Sequence, residues 1–137
     1  MSAVSHVVGL RLLARGQEVP VPARFCYHER EPFEVRAVLG AGPAAEPAEW
    51  VFARSLLADG MHGPAGAGDV RTRPSADHQH LVIELSSPFS TARFEVPAAE
   101  VALFLNAAFT LVPDGAEPPR DDIDAGIAAI IAEHGPR

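Results

Sequence analysis

The sequence predicts an α+β fold in which an antiparallel sheet comes first and most of the helices are appended to its end. Apolar and polar residues alternate in several short segments before Pro97, whereas after Pro97 the apolar residues recur every 3.6 positions. A chain of 137 residues also lies within the usual size of one domain, so residues 1–137 are expected to share one core. Strands followed by helices are typical of the α+β class.

The first two predicted strands lie near the amino terminus. The first spans Val4 to Leu13, and His6, Val8, Leu10 and Leu12 share one of its faces. The second is the segment VPVPARFCYH. Pro20 and Pro22 lack a backbone donor, so this strand should enter the sheet at an edge, with Phe25 and Tyr27 pointing inward. The opposite face then carries Arg24, Cys26 and His28.

The middle of the chain predicts two more strands and a short helix. Residues 33–39 alternate cleanly, with Phe33 inward, and should form a hairpin with the second strand. The glycine- and proline-rich residues 40–49 predict a loop, and EWVFA predicts a fourth strand. RSLLADGM then predicts a helix of about two turns that ends at Gly60.

Three further strands and two helices complete the prediction. DVRTRPS, HLVIELSSP and TARFEVP are the fifth, sixth and seventh strands, and the last two should pair. The main helix follows Pro97, and its apolar face carries Val101, Phe104, Leu105, Ala108 and Leu111. A second carboxy-terminal helix is predicted from about Asp121, where three aspartates favour the positive end of the helix dipole.

Composition and charge disfavour several classes of function. The net charge of −7 repels phosphate backbones and anionic membrane surfaces, so nucleic acid is an unfavourable partner. Cys26 is the only cysteine, which excludes an intramolecular disulfide and a thiolate zinc site and fits a reducing cytoplasm. No apolar stretch approaches the roughly 20 residues of a membrane span, so we expect a protein without membrane insertion.

Two clusters invite a ligand-binding interpretation that their context does not support. Gly63, Gly66 and Gly68 follow a helix and precede a strand, the reverse of a phosphate-binding loop, and are better explained as a flexible connector. The turn containing Asp77, His78 and His80 has spacing that permits a metal, but no other ligand is tied to it by pattern. We therefore predict no metal and no cofactor.

Catalytic motifs are also missing from the sequence. Cys26 and the serines belong to no GxSxG elbow or other signature that links a nucleophile to a histidine, and Asp121 and Asp122 are explained by helix capping. We predict no catalytic residues and a protein that is not an enzyme.

A basic and aromatic sheet face is the remaining alternative from the residues themselves. Arginines on the polar faces of the strands could join Tyr27, Trp50 or Phe94 in a platform for single-stranded nucleic acid. Those arginines are Arg11, Arg36, Arg71, Arg73 and Arg93. Glu34, Glu84 and Glu95 occupy equivalent positions and interrupt the basic face. Exposed aromatic and arginine side chains of EWVFAR would instead suit a protein interface.

The segment WVFARSLLADGMHGPAGAGDVRTRPS, residues 50–75, resembles the signature region of the SsgA-like proteins. This family is associated with sporulation-specific septation in filamentous actinobacteria. VPVPARFCYH, EPFEVRAVL, VIELSSP and the terminal helix follow in the family's order, so the resemblance covers nearly the whole chain.

The resemblance implies a strongly curved antiparallel sheet of about seven strands, barrel-like and similar to whirly-type proteins. It carries a short inserted helix and two carboxy-terminal helices, and the subunits form a homotrimer. It implies a cytoplasmic, non-enzymatic regulator that concentrates at the septum, binds septation proteins and helps bring FtsZ there. Candidate partner-binding residues are Trp50, Arg54, Asp59, His62 and Arg71. The alternative, single-stranded nucleic-acid binding, does not follow from fold similarity alone.

Overall fold

A computed structural model describes residues 2–14, 16–40 and 48–116. In this part of the chain one antiparallel sheet curls into a half-barrel that carries two helices, as the sequence predicts. The strands are β1 (Ala3–Ala14), β2 (Gln17–His28), β3 (Glu34–Leu39), β4 (Ala48–Ala53), β5 (Val70–Pro74), β6 (His80–Ser86) and β7 (Thr91–Pro97). The helices are α1 (Arg54–Gly60) and α2 (Ala98–Leu111). The strand order is β4-β3-β2-β1-β7-β6-β5.

The longest hairpin joins β1 and β2, which pair from Ala3 opposite His28 to Ala14 opposite Gln17. Gly16 turns the chain with a φ of +75°, a conformation that glycine adopts without steric cost. β2 is an interior strand, but its ladder with β3 begins only at Ala23. Among the described residues, Pro20 and Pro22 pair only with β1, which is how a central strand accommodates two residues without a backbone donor.

The alternation in the sequence fixes which side chains face the core. Phe25, Tyr27 and Val35 are fully buried on the concave face, whereas Arg24 is exposed on the convex face. The prediction that Phe33 also points inward is wrong, since it is 37% exposed. Phe33 belongs to a turn in which the Glu34 N–H donates to the Glu31 carbonyl, so the alternation starts only with β3.

α2 closes the half-barrel by packing against β1, β6 and β7. Its buried side chains are Val101, Phe104, Leu105 and Ala108. The Phe104 ring meets His6 and Phe25 edge-on, at centroid distances of 5.8 and 5.5 Å. The Glu100 carboxylate accepts a 2.7 Å hydrogen bond from the Gly9 N–H. Because the β1–β7 ladder covers only Arg11 to Leu13, the helix supplies an acceptor that no strand provides there.

The glycine-rich loop after α1 is attached to the sheet and is not the flexible connector that its composition suggests. Ala65 and Thr72 exchange two backbone hydrogen bonds of 2.8 and 3.0 Å, so the loop covers the outer edge of β5. Gly66 has a φ of +92° and approaches the backbone of Val70 closely. The second carboxy-terminal helix, predicted from about residue 121, and most of the loop predicted over 40–49 lie outside the described residues.

Candidate partner-binding surface

The five candidate residues occupy three different environments. Trp50 is half-buried on the concave face of β4, at an apolar hollow that Leu39 and Phe94 also line. Asp59, His62 and Arg71 are exposed. Arg54, at 3% exposure, belongs to the interior.

The Arg54 guanidinium holds the end of α2 against the sheet. It donates hydrogen bonds to the carbonyls of Ala108 and Val112, at 3.3 and 2.6 Å, and to the Tyr27 hydroxyl at 3.0 Å. It also lies 4.0 Å from the centroid of the Phe109 ring. A cation is favourable here because the last carbonyls of a helix carry partial negative charge. Arg54 therefore has a structural role that its place in the signature segment did not indicate.

Asp59 and His62 come together at the carboxyl end of α1. The His62 N–H donates to the Asp59 carbonyl at 3.0 Å, which closes the helix and places both side chains on the same exposed turn. Arg71 lies on the neighbouring strand β5, opposite Glu84 of β6, whose carboxylate accepts hydrogen bonds from Arg93. The structure thus places Asp59 and His62 at the same end of α1, whereas Arg71 projects from the convex face of β5, opposite the face on which Thr72 contacts α1.

A groove of about 520 Å³ lies between the two helices and the turn before β3. We call it the α1–α2 groove, and its main features are Phe33, Arg54, Asp59, Phe109 and Asp114. Its size is within the usual range of ligand pockets. The sequence identified Arg54 and Asp59 but not the other three. Phe33 lies in the turn before β3 and Asp114 in the turn after α2. Neither the alternation of a strand nor the period of a helix extends to these turns, so the sequence pattern could not predict which way the two side chains point.

Cross-strand ion pairs cover the convex face of the sheet. Arg11 pairs with Glu18 at 3.0 Å, Arg36 with Glu49 at 2.6 Å and Arg93 with Glu84 at 2.9 Å. The hydrogen bonds that Arg36 donates to Glu49, and then to Glu31, raise the pKa of its guanidinium above its ordinary value. Each exposed pair contributes little stability, but together they neutralise most of the basic groups that the sequence placed on this face.

The aromatic side chains proposed for a nucleic-acid platform lie on the opposite face from the arginines. Tyr27 and Phe94 are buried on the concave face, at 1% and 7% exposure, and Trp50 is on the same side. Arg36 and Arg93 project from the convex face. A base stacked on any of these rings would be separated by the sheet from the convex arginines, so the platform is not assembled.

The Asp77 turn is organised by its own hydrogen bonds. The Asp77 carboxylate accepts bonds from the Gln79 N–H at 3.0 Å and from the Ser75 hydroxyl at 2.7 Å. His78 follows with a φ of 60°, a left-handed conformation found mainly in turns. Within the described ranges, no group of three or more histidine, cysteine or acidic residues is arranged to hold a metal ion.

These bonds predict a pH-dependent contribution of Asp77 to stability. The Gln79 N–H and then the Ser75 hydroxyl lower the pKa of Asp77 below its ordinary value of 3.8. A lowered folded-state pKa stabilises the protein above the unfolded-state pKa, and this stability is lost as the pH falls through the folded-state value. We expect Asp77→Ala to be less stable than the unchanged protein at pH 7, with a difference that shrinks below pH 3.8.

Urea unfolding at several pH values measures this difference. Asp77→Asn is the matched control, because an asparagine oxygen can accept the same two bonds but does not titrate. A stability gap between the unchanged protein and Asp77→Ala that stays constant down to pH 2 would contradict the prediction.

None of the described helices has the length and apolar character that a membrane span requires.

Cys26 is half-buried on β2, and its sulfur lies 3.8 Å from the Ser5 hydroxyl oxygen. Cys26 is not among the described residues that line the α1–α2 groove.

Comparisons with known proteins agree with the signature segment. Residues 21–117 match the family model described as Streptomyces sporulation and cell division protein, SsgA. The sporulation-specific cell division protein SsgB of Streptomyces coelicolor is 42% identical over 135 residues, covering 96% of this chain and 98% of that protein. SsgB of Thermobifida fusca is 41% identical and covers 93% of this chain and 94% of its own length.

Solved structures extend the likeness to three dimensions. The crystal structure of an SsgA-like sporulation-specific cell division protein from Thermobifida fusca superposes with a TM-score of 0.81 at 41% identity, covering 93% of this chain and 95% of that one. An SsgB structure, from work in which SsgB mutations correlate with longitudinal cell division during sporulation of Streptomyces coelicolor, gives 0.78 at 44% identity. That match covers 85% of this chain and 93% of the other.

Proposed function

The chain belongs to the SsgA family of Streptomyces sporulation and cell division proteins, and we propose on this basis that it regulates sporulation-specific cell division without catalysing a reaction. The observation that carries the proposal is the match to SsgB proteins at about 40% identity over nearly the full length of both chains. The family is a cell-division family and not an enzyme family.

In the proposed mechanism the protein acts by binding, as one domain over residues 1–137. It contacts septation proteins, helps bring FtsZ to septum sites, and concentrates at the septum from the cytoplasm. Trp50, Asp59, His62 and Arg71 are the proposed contact residues. Arg54 supports them from the interior, since its hydrogen bonds fix α2 beside α1.

We propose a homotrimer as the working assembly. The described residues expose large apolar side chains that a neighbouring subunit could cover, including Val7 at 73% and Leu103 at 63%. Mass measurement in solution at several concentrations tests the proposed stoichiometry.

Association with FtsZ polymers is the decisive test. We expect the purified full chain to pellet with FtsZ when GTP is present and to remain in the supernatant when either FtsZ or GTP is omitted. A chain that stays in the supernatant with polymers, both alone and together with a second family member, would contradict the proposed partner.

Binding of single-stranded nucleic acid is the weaker alternative. Arg11, Arg36 and Arg93 pair with glutamates, and the aromatic rings face the other side of the sheet. We therefore expect no electrophoretic shift of a single-stranded oligonucleotide even at low salt, where phosphate contacts are strongest. A shift that disappears at moderate salt would favour the alternative.

A further inference from the structure

We propose that the α1–α2 groove docks a partner segment in which a basic side chain, arginine or lysine, stands beside a bulky apolar one. The inference rests on the proposed function, because it names the chemistry of the surface through which the protein binds other proteins. It depends on three features of the groove: its aromatic walls, its acidic rim, and the hydrogen bonds that Arg54 donates to the end of α2.

The walls provide an apolar surface of the size of one or two side chains. Phe33 is 37% exposed on one side, and Phe109 is half-buried on the other. One face of the Phe109 ring is covered by the Arg54 guanidinium. Side chains with long apolar portions, such as leucine or the stem of arginine, would remove both walls from water.

The rim is acidic because Asp59 and Asp114 border the groove and are exposed. Asp59 lies in the last turn of α1, which contains no basic residue, and Asp114 follows the end of α2. A carboxylate near the carboxyl end of a helix is unfavourable for folding, because the helix dipole is negative there. Neither position is therefore explained by helix stability.

These two carboxylates also differ from those on the convex face. Glu18, Glu49 and Glu84 each pair with an arginine. Within residues 2–14, 16–40 and 48–116, the carboxylates of Asp59 and Asp114 form no hydrogen bond or ion pair.

Arg54, at the floor, donates to the carbonyls that end α2 and to Tyr27. The rim therefore suits a cation supplied by a partner, and the net charge of −7 would favour approach of a basic segment.

The test uses the isotope-labelled full chain and a short acetylated, amidated peptide of alternating arginine and leucine. We expect the peptide to move amide resonances of residues 53–59 and 109–114, and the same peptide with glutamate in place of arginine to move none of them. We expect the double variant Asp59→Asn/Asp114→Asn to bind the arginine peptide about tenfold more weakly, as the loss of two exposed ion pairs implies. Asp69→Asn, which removes an exposed carboxylate outside the groove, should bind it unchanged.

Several outcomes would overturn the inference. These are shifts scattered away from the groove, equal binding of the glutamate peptide, or an equal loss of affinity in Asp69→Asn. Groove resonances that move on dilution of the free protein would identify a second copy of the chain as the occupant. Because no FtsZ is present, the outcome is separate from that of the pelleting assay. A groove that binds the peptide in a protein that ignores FtsZ would overturn only the proposed partner.

Discussion

Replacing Arg54 by alanine should cost about 3–5 kcal/mol of the free energy of unfolding, because a large buried side chain and its hydrogen bonds are lost together. The carbonyls of Ala108 and Val112 and the Tyr27 hydroxyl all receive hydrogen bonds from Arg54. Its stacking on Phe109 would be lost as well. We expect α2 to loosen at its carboxyl end, which urea unfolding and amide exchange of residues 108–112 would measure.

Two further variants separate charge from geometry. Arg54→Lys keeps the cation but not the planar fork, so it should recover only part of the lost stability. Arg71→Ala removes an exposed arginine of the same signature segment and should change stability by less than about 0.5 kcal/mol. If Arg54→Ala were as mild as Arg71→Ala, the structural role assigned to Arg54 would be wrong.

Gly60→Ala should destabilise the protein by about 2–3 kcal/mol through overpacking. A Cβ at this position would lie 2.5 Å from the Cβ of Thr72 and also meet the Thr72 hydroxyl. Thr72 cannot move away easily, because its hydroxyl donates to the Leu56 carbonyl at 2.8 Å and its backbone bonds to Ala65. Thermal and urea unfolding measure the effect.

The direction of the change in stability distinguishes overpacking from helix propensity. In an exposed helix, glycine to alanine stabilises by roughly 1 kcal/mol, so helix propensity alone predicts the opposite result. Gly63→Ala is the matched control, because a Cβ there has no neighbour within 4 Å. A gain in stability from Gly60→Ala would show that β5 can shift away from α1.

Arg54 and Gly60 both stand in the segment that carries the family resemblance, and both are explained by packing of α1 against α2 and β5. Asp59 and His62, between and beside them, are exposed. The segment therefore combines residues that build the end of the half-barrel with residues that remain available on its surface, and only the second kind can contact a partner.

The sequence by itself determined the strands, the two described helices and the inward face of β2, because alternation and the 3.6-residue period are local consequences of backbone geometry. It also indicated the family, through the segment around Trp50. The prediction that Phe33 points inward was wrong, because Phe33 lies in a turn and the alternation starts only at the next residue, with β3.

Only the tertiary structure decided that Arg54 is buried and that the α1–α2 groove exists. Arginine is seldom fully buried without partners, and the partners of Arg54 lie 27, 54 and 58 residues away along the chain. The groove likewise joins a turn, a short helix and the end of a distant helix. Contacts between such remote segments depend on how the sheet curls, which no local pattern in the sequence records.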